Sequence, residues 1–281
     1  MKRDDAEMAP DDDDAVPEET APKGARSGTQ SIERAVTMLR VIASRGRRGM
    51  RIAEVASTAG LAQSTCFRML KSMQSEGLVD KDGHTRKYYL GSLVYELGLL
   101  ARPRYRLSEL CDNAMQALAE STQETVYLSE RSGLEAVCTA RTLGDYPIKA
   151  LPLDVGIRRP LGVGAGGLAI LGAMDAEEAA AIVATNAGRY EAYGGLTAAD
   201  LLVAIDETRQ RGWSFLDSVA TPGTAALGVA LPSQGPLAAI SVAAITSRLP
   251  PERRGEIAGL LKRQTDKISA VLRELRGVGP A

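Results

Sequence analysis

The chain has 281 residues, room for two domains of ordinary size, with a formal charge of −1 and only 4% aromatic residues. No apolar run reaches the roughly 20 residues of a membrane-spanning helix. Three isolated cysteines, Cys66, Cys111 and Cys138, and one histidine argue against both a disulfide scaffold and a zinc site, and no cofactor is expected.

Residues 1–29 open with Met1-Lys2-Arg3-Asp4-Asp5, an acidic beginning that does not resemble a signal peptide, so a cytoplasmic location is expected. With Asp11-Asp12-Asp13-Asp14, Pro10, Pro17, Pro22 and almost no large apolar side chain, this segment reads as a disordered, solvating tail. Next, Ile32, Ala35, Val36, Leu39, Ile42 and Ala43 recur at helical spacing, with Ser31 as N-cap. A short helix follows over Ile52 to Ala59. Gly60-Leu61 then suits a tight left-handed turn before a second helix whose apolar positions are Cys66, Met69, Leu70 and Met73. That spacing leaves Gln63, Ser64, Thr65, Arg68 and Lys71 outside, where the first turns of an exposed helix reach base edges. Gly77-Leu78-Val79 ends the helix, and Asp82-Gly83 is expected to turn a hairpin between Val79-Asp80-Lys81 and Lys87-Tyr88-Tyr89-Leu90. His84, Arg86 and Lys87 at this wing would meet phosphate or the minor groove.

Charge follows the same division. Residues 1–29 carry four basic and nine acidic side chains, 30–101 eleven and six, and 102–281 nineteen and twenty. A basic module on a near-neutral body is the electrostatic footprint of a phosphate binder, and double-stranded DNA is the expected partner.

Leu93, Tyr95, Leu97, Leu99 and Leu100 form a short linking helix with more apolar surface than it can hide, and Arg102-Pro103-Arg104 breaks it. Residues 107–275 read as mixed α and β. A helix is expected over Ser108 to Ser121, then a hairpin of Thr125–Leu128 and Ala136–Ala140 around Ser132-Gly133. Helices are expected over Gly167–Met174, Ala176–Asn186, Ala198–Arg211 (capped by Thr197, stopped by Gly212) and Pro251–Leu275. A second hairpin, Thr224–Leu231 and Leu237–Ile245, turns at Ser233-Gln234-Gly235. Strands in hairpins with helices alongside indicate an α+β fold with an antiparallel sheet.

Gly162-Val163-Gly164-Ala165-Gly166-Gly167 satisfies G-x-G-x-x-G, but a dinucleotide fingerprint also needs a buried parallel strand before it and an acidic residue about twenty positions on. Gly156 to Leu161 is no such strand and Ala181 to Ala187 has no carboxylate, so NAD binding is set aside. The glycines still allow a ligand to approach N–H groups at a helix start. Catalysis finds no nucleophile with a histidine partner and no paired carboxylates at a recognisable spacing.

Gln30-Ser31-Ile32-Glu33-Arg34-Ala35, Ile52-Ala53-Glu54-Val55-Ala56, Gly60-Leu61-Ala62-Gln63-Ser64-Thr65, Tyr89-Leu90-Gly91 and Glu96-Leu97-Gly98 together resemble the N-terminal half of IclR-type transcriptional regulators. The resemblance implies a winged helix-turn-helix over 30–91 and a linker helix and dimerisation segment over 92–106. A GAF-like effector-binding domain over 107–281 would complete a homodimer or homotetramer that answers a small molecule. Ser31 and Arg34 join the DNA contacts on the same footing. By position, the resemblance points to Gly164, Ala165 and Gly166 as donors to an effector carboxylate or carbonyl, and to Leu216, Asp217, Thr224, Ala226, Ser241 and Ala243 around it. Many members have a Gly-Val-Arg-Cys-type run where this chain has Gly223-Thr224-Ala225-Ala226, and a polar residue at Ala243, so the inferred pocket is the more apolar. A ligand-responsive regulator answering a small organic acid, with an aromatic acid among the candidates, is therefore expected. The rivals are an enzyme with a vestigial DNA-binding domain and an architectural DNA binder whose C-terminal domain only oligomerises.

Overall fold

The computed structural model describes residues 29–101, 107–151, 153–231 and 237–277. The acidic tail up to residue 28, the Arg102-Pro103-Arg104 break and the Ser233-Gln234-Gly235 turn lie outside these residues.

The N-terminal unit runs α1 (Gln30–Ala43), α2 (Ile52–Thr58), α3 (Gln63–Ser75), β1 (Val79–Lys81) and β2 (Tyr88–Leu90), and then α4 (Ser92–Ala101). Its core is built from Met38, Ile42, Val55, Cys66, Leu70, Met73, Val79 and Tyr88, one apolar face from each of α1, α2, α3, β1 and β2. Gly60, at φ +64°, ends α2 in the left-handed region, and the Leu61 N–H returns to Ala56 O at 2.9 Å. Gly77, at φ +71°, ends α3 in the same way, with Leu78 N–H donating to Met73 O at 2.9 Å. These two stops fix the angle between α2 and α3 and launch the wing.

Three expectations change here. Ser31 is not the N-cap: the Ile32 and Glu33 N–H groups both donate to Thr29 O, so the helix starts earlier and Ser31 sits exposed in its first turn. Ile32 and Val36 face outward, and the inward stripe passes instead through Ala35, Met38, Leu39 and Ile42. The wing tip is the six-residue loop 82–87, one residue longer than expected because β2 starts at Tyr88 rather than Lys87. Asp82 N–H donates to Lys87 O at 2.9 Å, and its carboxylate accepts from both the N–H and the hydroxyl of Thr85 at 2.6 Å. Those bonds hold the Asp82 carboxyl below its ordinary range and organise the loop, which leaves Lys87 outside β2.

The C-terminal unit contains α5 (Leu107–Thr122), β3 (Thr125–Ser132), β4 (Glu135–Thr142), β5 (Arg158–Pro160), α6 (Ala165–Gly172), α7 (Ala176–Tyr190), α8 (Ala198–Arg211), β6 (Ser214–Asp217), β7 (Thr224–Ala230), β8 (Ala238–Ile245) and α9 (Pro251–Gly277). The six strands form one sheet in the order β5-β4-β3-β8-β7-β6, every neighbour antiparallel. The short strands β5 and β6 at its two edges were not expected.

Strand alternation sorts the side chains onto two faces. On one face Val126, Leu128, Leu227, Ile240 and Val242 pack against Met115, Leu118, Ile257 and Leu261 of α5 and α9. The opposite face, with Tyr127, Ser129, Ala226, Ser241 and Ala243, is small and partly polar, and α6 lies against it backed by α7 and α8. The start of α6 is held close to the sheet: Ser214 donates its hydroxyl to Ala165 O at 2.6 Å, and a Cβ at Gly228 would stand 3.0 Å from the same carbonyl.

One edge of this unit is pinned by ions. Glu135 accepts from Arg158 Nε at 2.6 Å and from the Arg189 guanidinium, joining β4, β5 and α7. Burial pushes the Glu135 carboxyl up, but its bonds to Arg189 and Arg158 outweigh that and hold it below its ordinary value. A carboxyl depressed in the folded state adds stability that is full above its unfolded value, about 4.3, and lost as pH falls through the depressed one. The urea midpoint of wild type should therefore exceed that of Glu135→Gln at pH 6, and the gap should close below about pH 4. A gap unchanged down to pH 3 would show that the cluster contributes no proton-linked stability.

Candidate functional site

The first site is a cationic surface on the N-terminal unit. Gln63, Ser64, Arg68 and Lys71 are exposed on α3, while Thr65 is half-buried. Ile52, Gln63, Ser64, Phe67, Lys81, Arg86 and Tyr88 line one open groove, so the start of α3 and the wing face the same space. His84 and Arg86 are exposed, and Arg86 sits in the left-handed region at φ +59°, which turns it away from the strand path. Phe67, 49% exposed on the outer face of α3, had not been singled out; its apolar ring is suited to a thymine methyl. A second cleft is lined by Arg45, Arg48, Gly49, Arg51, Glu54 and Lys87. There the Lys87 ammonium, half-buried, donates to Arg48 O at 2.9 Å. Met50 makes two backbone bonds with Tyr88, of 3.1 and 2.8 Å, which bring this arginine-rich loop beside the wing. Ser31 and Arg34 lie on α1 and line neither cleft.

The second site is a cavity of about 60 Å³ between the small-residue face of the sheet and the start of α6. Gly164, Ala165, Gly166, Leu216, Thr224, Ala226, Ser241 and Ala243 all line it. Asp217 does not: it is exposed, and its carboxylate accepts from Ser218 Oγ at 2.9 Å and Thr246 Oγ1 at 2.8 Å. Sequence reasoning missed Tyr127, Ser129, Ala136, Leu153, Arg159 and Val163. The signal for two of them was the strand register, since Tyr127 pairs with Ser241 and Ser129 lies two residues on, on the same face.

Gly164 caps α6 at φ +97°, a conformation that favours glycine, and the N–H groups of Ala165, Gly166 and Gly167 form its first turn at the cavity. A Cβ on Gly166 would fall 2.7 Å from Ser129 Oγ and 2.9 Å from its Cβ. Substitution there thus presses on the central strand β3 as well as on the cavity, which makes Gly166 a poor position for testing ligand binding alone. Tyr127 donates its hydroxyl to Ala150 O at 3.0 Å, and burial raises its pKa well above the phenol range. Burial likewise pushes the nearby Cys138 thiol up to about 11, so it stays neutral.

A sequence-family model for the bacterial transcriptional regulator IclR C-terminal domain matches residues 103–270, and one for the IclR helix-turn-helix domain matches 31–83. The chain belongs to the IclR family. It is 29% identical over 248 residues to the glycerol operon regulatory protein of Streptomyces griseus, covering 88% of this chain and 96% of that one. A putative IclR regulator of Silicibacter sp. shares the fold at TM-score 0.72 and 22% identity, over 85% of this chain and 95% of that one. An IclR homologue of Microbacterium hydrocarbonoxydans, solved in complex with 4-hydroxybenzoate, matches at TM-score 0.69 and 19% identity over 87% and 99%. IclR proteins are transcriptional regulators and not enzymes, with a DNA-binding helix-turn-helix and a C-terminal effector-binding domain, and this chain is one of them. The α+β fold with its curled antiparallel sheet is that of IclR structures, and no helix among the described residues is long and apolar enough to cross a membrane.

Proposed function

We propose that the chain acts as a homodimer or a pair of dimers on two-fold operator DNA, with residues 30–91 reading DNA, 92–106 linking and dimerising, and 107–281 holding a small organic acid. As a DNA-binding regulator it would work in the cytoplasm, beside the chromosome. Gln63, Ser64, Thr65 and Arg68 meet base edges, and Lys71, His84, Arg86 and Lys87 meet the backbone, joined by Ser31 and Arg34 from α1. Dimerisation is supported by α4, which has no buried residue and exposes Tyr95 (68%), Leu97 (52%) and Leu100 (80%), with Ile32 of α1 also 65% exposed. Two copies also suit the two half-sites that a helix-turn-helix reads one helical turn apart.

The single observation that carries the effector reading is the cavity at the start of α6, where backbone donors, Ser129 and Ser241 converge within walls of alanine, valine and leucine. That is the composition of a small-molecule site: mostly apolar, with few placed polar groups. The M. hydrocarbonoxydans homologue holds an aromatic acid; here a cavity of about 60 Å³ has room for several waters, the scale of a small organic acid. Ala226→Leu should fill the cavity and abolish stabilisation by the effector while leaving operator binding intact, with an overpacking cost of about 1–3 kcal/mol to the empty protein. Thermal shift against a panel of aliphatic and aromatic carboxylates, paired with operator gel shifts, tests this. A ligand at a hundred times its Kd adds about 2.7 kcal/mol to wild type. Full stabilisation of the Ala226→Leu protein by the same acid would remove this cavity from consideration.

A further inference from the structure

We propose that the acidic segment 4–19 docks in the cleft of Arg45, Arg48, Arg51 and Lys87 beside the wing, where its carboxylates take the place of DNA phosphates. The chain thus carries its own competitor. DNA must displace it to reach these cations, so affinity for every sequence falls together.

The two charge patterns are complementary. All nine carboxylates of residues 1–29 lie between Asp4 and Glu19, with no lysine or arginine among them. Of the eleven lysines and arginines in residues 30–101, four line the one cleft. A single carboxylate joins them, that of Glu54, and it accepts from the Arg51 N–H at 2.8 Å at the start of α2. Among the described residues no ion pair includes Arg45, Arg48 or Arg51. The groove at the start of α3 is lined by two cations, Lys81 and Arg86, and Lys81 already lies over the Tyr88 ring at 5.3 Å. A run of negative charge therefore meets its denser complement in the cleft.

The cations are held in place. The two Met50–Tyr88 backbone bonds fix their loop to β2, the Lys87 ammonium bonds Arg48 O, and a Cβ at Gly49 would stand 2.5 Å from Tyr89 Cζ. Donors fixed in this way lose little freedom on taking a carboxylate, which guanidiniums match as they match phosphate. They are also within reach. The 14 residues of α1, about 21 Å, separate Thr29 from the loop. Ten residues join Glu19 to Thr29 and fifteen join Asp14 to it, spans of at most about 33 and 50 Å. Each exposed pair is worth a factor of only about 1.4–5, but three formed within one chain give on the order of tenfold.

The full chain tests this against a random-sequence duplex of about 30 base pairs. Replacing Asp11, Asp12, Asp13 and Asp14 by Asn, and Glu18 and Glu19 by Gln, should tighten binding about tenfold at about 50 mM salt, with the gain shrinking toward about 300 mM. Combined with Arg45→Gln, Arg48→Gln and Arg51→Gln, the same replacements should change nothing. A gain retained there would show that the segment repels DNA from a distance, and overturns docking. Docking is also read without DNA, since the three native cysteines are buried and Ala15→Cys can carry a nitroxide. It should broaden the Arg48 and Gly49 amide signals at about 50 mM salt and release them at about 500 mM. Sharp signals at low salt overturn the inference, and this measurement decides if the arginine variant does not fold. The effect on DNA rests on the cleft meeting phosphate, whereas the docking does not. Broadened signals with DNA affinity unchanged by the tail replacements would therefore overturn the competition alone.

Discussion

Glu124→Ala should destabilise the C-terminal unit by about 3–5 kcal/mol, because it strips the acid from a buried ion cluster and leaves two guanidiniums facing each other. Glu124 is 2% exposed at the head of β3. Its carboxylate accepts from the Arg248 guanidinium and from Arg253 Nη1 at 3.1 Å. Arg253 also donates to Thr122 O and Arg248 O, both at 2.7 Å, and Arg248 stacks over the Tyr146 ring at 3.6 Å. One carboxylate therefore ties together the end of α5, the start of β3, the turn after β8 and the first turn of α9. For a unit of this size the loss corresponds to a melting shift of roughly 6–20 °C, with Glu124→Gln in between because it keeps the shape and loses the charge. The N-terminal unit has its own core, so its unfolding transition should stay in place. A shift of only a degree or two in calorimetry would mean that solvent reaches the cluster and screens it.

What could be read from the sequence follows from where the structural information is local. The stop of α8 at Gly212, at φ +77°, its capping by the Thr197 hydroxyl, and the glycine turns after α2 and α3 are short-range chemistry and stand in the sequence directly. The long hairpins were found too, the first shorter than it is, because its ends at Arg131-Ser132 and Arg141-Thr142 are polar and resemble loop, and the second one residue longer at each inner end. The edge strands were missed for a related reason. Arg158-Arg159-Pro160 has no apolar alternation, and it becomes a strand only because β4 offers a free edge. The same gap hid Arg159 from the cavity, since no local pattern tells which of two consecutive arginines faces inward. The outward face of α1 shows the opposite limit: Ile32 and Val36 fit an inward stripe by period, yet both stand exposed, because spacing alone does not say which face meets α2 and α3. Glycine spacing named the start of α6; the far wall, built from β3 and β5, depended on sheet order.

Arg68→Ala should cost about 1–3 kcal/mol in operator affinity and relax the preference at one position in each half-site, if the guanidinium takes a guanine bidentately. Arg68 is exposed on α3, one turn beyond Ser64, where side chains enter the major groove. Cations that meet only phosphate behave differently. Loss of Lys71 or Arg86 should weaken every sequence alike and lower the slope of log K against log salt by about 0.9 for each contact removed. The cleft of Arg45, Arg48 and Arg51 supplies three more cations beside the wing, so replacing all three should flatten the slope by up to about 2.7 without altering the preferred sequence. Phe67→Ala separates the two classes further, since it removes no charge: affinity for a site bearing thymine beneath it should fall while the salt slope holds. Quantitative gel shifts over a salt series, with a library of operator variants, measure both quantities together. An Arg68→Ala protein with a lower slope and unchanged preference would move that side chain from base reading to the backbone. One with both unchanged would mean that α3 is not the helix in the groove.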